Sequence, residues 1–185
     1  MASTTGYYAA FIALGLVAAS LGPTLPDLAE NTGSQIGQIS LLFTARSSGY
    51  FLGSLSGGRL YDRVPGHVLF GIMLLVMAGM MMLVPLLSLF WVLVAILLLL
   101  GTAEGGVDVG GNAMIVWVHG RQVGPYMNAL HFFFGVGAFI SPIIIAQVVL
   151  MSDDIVWAYW ILALLIVPVA IWILRLTSPT APSSR

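Results

Sequence analysis

The sequence predicts an all-α membrane protein of six transmembrane helices with little mass outside the bilayer. Three observations carry this expectation. Hydrophobic residues make up 59% of the 185-residue chain and charged residues 7%, with no lysine at all, whereas soluble domains carry about a quarter charged residues. Polar breaks cut the apolar sequence into six segments, and a hydrocarbon core of about 30 Å takes roughly 20 apolar residues per helix. Six such spans consume most of the 185 residues, which leaves short loops and no soluble domain.

The predicted spans are residues 7–22, 36–60, 67–87, 90–118, 125–150 and 155–174. The first follows residues 1–6, which hold no basic cluster, so it reads as a span that stays rather than a cleaved secretory signal. Gly22-Pro23 and Pro26 are expected to break or end it. The second carries Gly49, Gly53 and Gly57, every fourth residue on one face. The fourth repeats that spacing with Gly101 and Gly105 and with Gly106 and Gly110, and the fifth with Gly137 and Ser141. Small residues so spaced let helix backbones approach closely, and packing alone is a sufficient reason for them. Pro142 in the fifth span frees a carbonyl and marks a candidate kink. The third and sixth spans hold no ionisable residue past His67. Met73, Leu74, Met80, Met81 and Met82 in the third, and Trp157, Trp160 and Trp172 in the sixth, are expected to face lipid. Residues 1–176 form the membrane domain, and residues 177–185, rich in Ser, Thr and Pro, read as a flexible cytoplasmic tail.

The connectors sort by charge. Asp27 and Glu30 fall in the first, Arg63 in the second with Arg59 at its edge, His119 and Arg121 in the fourth, and Asp153 and Asp154 in the fifth. The third, around Ser88, is uncharged, and the tail carries Arg175 and Arg185. The positive-inside rule then places the even connectors and both termini in the cytoplasm. The cell membrane is the expected location.

Four ionisable residues fall well inside spans: Arg46, Glu104, Asp108 and His131. Each costs at least about 2.5–3.5 kcal/mol at a bilayer centre, so such residues face the bundle interior or a water-filled path. Glu104 and Asp108 are four apart and share a helix face, which Asn112 extends. Two neighbouring carboxylates in a low dielectric raise at least one pKa, so one of them is a candidate proton carrier. Glu104, set between glycines, is expected mainly to tune Asp108. Arg46 is either the ion-pair partner of such a carboxylate or a solute ligand. Asn128 and His131 lie in the first third of the fifth span, at the depth of Asp108 and Asn112, followed by Phe132, Phe133 and Phe134. Polar groups beside aromatic rings suit a sugar, whose ring faces stack while amides and carboxylates bind hydroxyls. The alternative is that Asp108 and His131 form a satisfied buried pair. On a buried site, loss of His131 is expected to weaken solute affinity by about 1–3 kcal/mol.

A net charge of −1 gives no basic face for nucleic acid. The absence of cysteine removes disulfides, thiolate catalysis and Cys-based metal sites. No His-Glu-x-x-His or Gly-x-Ser-x-Gly motif is present, and Glu104, Asp108 and His131 lack a repeated ligand spacing. Neither an enzyme, a metal site nor a cofactor is expected.

Gly58-Arg59-Leu60-Tyr61-Asp62-Arg63, followed by Gly66 and His67, resembles the signature loop of the major facilitator superfamily. An extra residue precedes Gly66, and His67 stands where arginine or lysine is usual. In that family the loop is a gate, and the resemblance assigns this role to Gly58, Asp62 and Arg63. Leu21-Gly22-Pro23-Thr24-Leu25 with Asp27-Leu28, and Asn128-Ala129-Leu130-His131-Phe132-Phe133-Phe134-Gly135 with Gly137-Ala138-Phe139 and Pro142, look like the sodium-dependent glucose transporter branch. Gly106-Val107-Asp108-Val109-Gly110-Gly111-Asn112 is similar to the acidic segment of the fucose–proton symporters, which implies proton and sugar binding at Asp108 and Asn112. The first span lacks the second embedded acid of those symporters, and Gly101 stands where many proton-coupled members place an arginine.

The resemblance covers the amino-terminal six-helix half of a twelve-helix fold, itself a 3+3 repeat. It implies a half-size secondary transporter, working as a homodimer or with a separate second half, that moves a sugar or similar small polar solute by symport with sodium or protons. The competing readings are a non-transporting membrane partner or assembly subunit, and a truncated half transporter.

Overall fold

The computed structural model describes residues 2–179, and all their regular structure is helical. Arg185 and the rest of residues 180–185 of the expected tail lie outside the described residues. The helices are α1 (Ala2–Ala18), α2 (Leu21–Thr32), α3 (Ile36–Ile39), α4 (Leu41–Tyr61), α5 (Gly66–Leu83), α6 (Phe90–His119), α7 (Val123–Ser152) and α8 (Ile155–Leu174). Three stretches are long and apolar enough to cross a membrane: Gly66–Leu86, Phe90–Ser152 and Ile155–Leu174. The second is too long for one crossing and is two helices, divided where Gly120 takes a φ of 52°. The α1–α2 pair, bent by 44°, makes a further candidate span. The 21-residue α4 is less apolar, being rich in Gly and Ser and holding Arg46 and Arg59.

The first predicted span is thus two helices. The break falls at Ala19 and Ser20, ahead of the prolines expected to cause it. Pro23 sits in the first turn of α2, where an N–H has no helical partner to lose, and the helix continues through Pro26. It ends at Gly33, whose left-handed φ of 61° lets its N–H bond back to the α2 carbonyls. Asp27 and Glu30, expected in a loop, therefore lie on α2.

Pair contacts fix the helix directions. Along α4 and α6, Gly49 meets Leu98, Gly53 meets Thr102 and Gly57 meets Gly106, so the two run parallel. Along α1 and α7, Ile12 meets Gly137 and Leu16 accepts from Ser141, so these also run parallel. Gly66 meets Met114 and Gly106 meets Met73, so α5 opposes α6. Gly71 meets Leu174 and Trp160 donates to Met82, so α8 opposes α5. Helices α1, α5 and α7 therefore run one way and α4, α6 and α8 the other. The pairing α1·α7, α4·α6 and α5·α8 is unchanged when the first three long elements are exchanged for the last three.

The core lies where α1, α5, α6 and α8 meet, around Tyr7, Phe11, Phe70, Leu93 and Tyr159, all fully buried. This corrects the expectation of lipid contact for part of the third span, although Met82 is exposed as expected. Leu74 and Met81 are 0% exposed against that core, and Met73 packs on Gly106. In the sixth span, Trp157 and Trp172 do remain exposed.

The α4–α6 seam is backbone against backbone. A Cβ on Gly53 would stand 2.0 Å from the Thr102 carbonyl oxygen, and one on Gly49 2.0 Å from that of Leu98. Gly53→Ala should therefore force the helices apart and cost about 1–3 kcal/mol, read as a lower unfolding temperature in detergent. Gly79→Ala, where a Cβ meets nothing within 4 Å, should leave that temperature unchanged.

Candidate solute-binding site

The seam sets the site. With α4 and α6 parallel and in close register, two residues one turn apart on α4 meet two residues one turn apart on α6. Arg46 faces Glu104 and Tyr50 faces Asp108, each pair 58 positions apart in sequence. Arg46 Nε donates to Glu104 Oε2 at 2.7 Å, and its Nη2 donates to Oε1, making a two-point ion pair. Both side chains are buried, at 10% and 4% exposure. Arg46 is thus the ion-pair partner of a carboxylate, and that carboxylate is Glu104. The nearest charge partner of Glu104 is thus Arg46 rather than Asp108.

Asp108 has different partners. The Tyr50 hydroxyl donates to its Oδ2 at 2.7 Å, and Asn112 Nδ2 donates to its Oδ1 at 3.1 Å and to its backbone carbonyl at 2.8 Å. Asn112 is half-buried. A cavity of about 560 Å³ opens beside these groups. Leu14 and Ala18 line it from α1, Phe43, Arg46, Ser47 and Tyr50 from α4, Glu104 and Asp108 from α6, and His131 and Phe134 from α7. Its surface combines aromatic rings, hydroxyls, an imidazole, a guanidinium and two carboxylates.

Four of the predicted residues, Arg46, Glu104, Asp108 and His131, line this one cavity. Asn112 reaches it through Asp108. Asn128 is exposed and not among the lining residues. His131 is exposed and touches Phe11 edge-on with ring centroids 5.9 Å apart, so the alternative of a satisfied buried pair with Asp108 is not what the structure shows. Of the three phenylalanines only Phe134 lines the cavity; Phe133 packs on Tyr8 and Phe132 is 66% exposed. Sequence reasoning missed Tyr50, Phe43 and Ser47. For Tyr50 a signal existed: it follows Arg46 by four residues, as Asp108 follows Glu104.

The candidate gate lies at the far end of α4. Gly58 has open space around it, and Asp62 and Arg63 are exposed, with no side-chain hydrogen bond or ion pair among the described residues. Beyond the loop, His67 is buried at 1% exposure. Its Nδ1 lies 3.2 Å from the Leu176 carbonyl, which only accepts, so Nδ1 carries the proton and Nε2 accepts from the Tyr7 hydroxyl at 2.7 Å. The His67 N–H donates to Ser178 Oγ at 3.0 Å, which ties the start of the expected tail to α5.

The family model of the Major Facilitator Superfamily matches residues 7–185. Sodium-dependent glucose transporter 1 of Danio rerio is 46% identical over 136 residues, covering 74% of this chain and 23% of that protein. Sodium-dependent glucose transporter 1A of Mus musculus is 38% identical over 137 residues, 74% of this chain and 32% of that protein. Major facilitator superfamily domain-containing protein 4A of Mus musculus is 34% identical over 143 residues, 76% of this chain and 28% of that protein. The matched part of the chain spans about a quarter to a third of these relatives' length. A nearly full-length family match on an all-helical, apolar chain settles its class: it belongs to the Major Facilitator Superfamily, whose members are transporters rather than enzymes, and is an integral, multi-pass membrane protein.

Proposed function

We propose that this chain is half of a sugar transporter, binding its solute in the cavity between α1, α4, α6 and α7 and coupling transport to a cation. The observation that carries this reading is Asp108, a carboxylate at the cavity wall held by a hydroxyl and an amide. Arg46 balances Glu104 and leaves Asp108 as the one carboxylate in the cavity lining without a cationic partner. An uncompensated carboxylate in a membrane interior attracts a cation. The printed names of the relatives favour sodium and glucose, with protons as the other candidate ion. No cofactor takes part in this reading.

Six spans with cytoplasmic termini fit the alternating helix directions. Thr4, His119, His67 and Leu176 are joined at one end of the bundle, beside Arg59, Arg63, Arg121 and Arg175. Asn31, Ser88 and Asp154 surround one hollow at the other end. The basic end is then cytoplasmic. The exchange-invariant pairing is that of an inverted 3+3 repeat. A plasma-membrane location would give such a carrier the sodium gradient it would use.

Exposed apolar side chains on α4 and α7, among them Phe51, Leu55, Phe139 and Ile143, leave a face for a second six-helix body, a copy of this chain or a separate half. The small residues Gly49, Gly53, Gly57, Gly137 and Ser141 are not that face, because they are used inside the bundle.

Uptake into proteoliposomes holding this chain alone, with and without sodium and pH gradients, tests the reading. Gradient-driven glucose accumulation is the expected result, and no uptake by this chain alone would favour an assembly subunit. Cross-linking in membranes should trap a dimer; a strict monomer that transports would overturn the two-body reading. Because His131 is exposed, His131→Ala should weaken glucose affinity by about 0.5–1.5 kcal/mol, the net worth of one hydrogen bond, measured as a Kd. Asp62→Asn should slow exchange severalfold at unchanged glucose affinity, as expected of a gate; a parallel fall in affinity would indicate misfolding.

A further inference from the structure

The break between α1 and α2 takes the last carbonyls of α1 out of the helical ladder at a buried position, where each needs another donor. Val17 O accepts locally from the Ser20 N–H at 3.1 Å and the Ser20 hydroxyl at 2.8 Å, and both it and Ala18 O also accept from a single side chain of another helix. Arg46 Nη2 donates to Val17 O at 2.8 Å and Nη1 to Ala18 O at 3.1 Å. The same guanidinium holds both oxygens of Glu104. Four of its five N–H donors are thereby committed to protein acceptors. The Arg46 backbone is itself pinned, since its carbonyl lies where a Cβ on Gly101 would be, 2.0 Å away. Beyond the break, α2 is anchored by the buried pair Thr24 Oγ1 and Tyr159 hydroxyl, 2.8 Å apart.

We propose that Arg46 is a positioning residue that sets the angle of α2: it closes the broken end of α1, Glu104 holds it there, and the cavity wall that continues from Ala18 is fixed as a result. Two of its donors are spent on the hinge and two on Glu104, so its role is to position rather than to bind solute. Glu104 serves as the counter-charge that keeps the guanidinium in place. The hinge is Ala19–Ser20, and the moving part is residues 21–32.

The test uses the full chain in lipid nanodiscs. The sequence has no cysteine, so nitroxides can be placed on Glu30→Cys in α2 and Met151→Cys at the end of α7, and their separation measured by double electron–electron resonance. The wild type should give one narrow distance population. The double variant Arg46→Met with Glu104→Met removes both charges together, takes the guanidinium donor from Ala18 O and leaves Val17 O with Ser20 alone. Its distribution should broaden at least twofold or shift to a new maximum. Arg46→Lys, which keeps a charge beside Glu104 but cannot span both carbonyls, should broaden it as well. Tyr50→Phe, one turn along the same helix, should leave it unchanged. A wild-type distribution in the double variant would show that neither the charges nor the donors of the pair set the angle of α2 and would overturn the proposal. A wild-type distribution in folded Arg46→Lys, or equal broadening by Tyr50→Phe, would overturn it too.

Discussion

Glu104→Gln alone is expected to destabilise the protein by about 3–5 kcal/mol, the cost of leaving one member of a buried ion pair without its counter-charge. Arg46 is locked among Glu104, Val17 and Ala18 and cannot swing to water when the carboxylate is lost. The other carboxylate of the cavity, Asp108, is held by Tyr50 and Asn112. Removing both charges with a pair of methionines should cost far less, because a buried pair replaced by apolar groups is often neutral in stability. Thermal unfolding in detergent, compared across both single variants and the double, checks this. Additive single-variant losses in the double would mean that the two side chains do not act as a pair.

Asp108→Asn should give the opposite profile: a well-folded protein without cation-coupled uptake. The amide is isosteric, and its oxygen still accepts from the Tyr50 hydroxyl. Asn112 keeps its bond to the Asp108 backbone carbonyl, so only its bond to the lost carboxylate oxygen must rearrange. Unfolding temperature should therefore stay near wild type. Gradient-driven accumulation of glucose in proteoliposomes should fall to the passive leak, because the cavity no longer carries a net negative charge. Normal accumulation in this variant would remove Asp108 from coupling.

The large-scale fold was legible because hydropathy breaks are sharp in a membrane chain, and the family signature lies in a short contiguous loop. Finer features were hidden for identifiable reasons. Pro23 and Pro26 advertised a break that occurs at Ala19–Ser20: Pro23 falls in the first turn of α2, where a proline costs little, and the helix carries Pro26 inside it. Leu74 and Met81 gave no sign of facing inward, since α5 is apolar all round. The choice of Glu104 over Asp108 as the partner of Arg46 depends on the register of α4 against α6, which glycine spacing permits but does not specify. Tyr50 was overlooked because an uncharged aromatic in a span needs no special reason, until its hydroxyl is seen to end on Asp108. His131 was read as buried from its apolar neighbours, yet its helix turns it toward open space.

The glycine contacts have a mechanical consequence. Where α4 meets α6, and where α1 meets α7 at Gly15 and Gly137, carbonyl and Cα atoms touch without side chains between them. Such seams have no rotamers to rearrange, so each pair deforms as one stiff blade. Between the blades the contacts run through side chains, which can yield. Compliance is therefore concentrated along the line of the cavity. A guest of different size would be accommodated by a change in blade spacing, a single soft coordinate shared by every residue that lines the site.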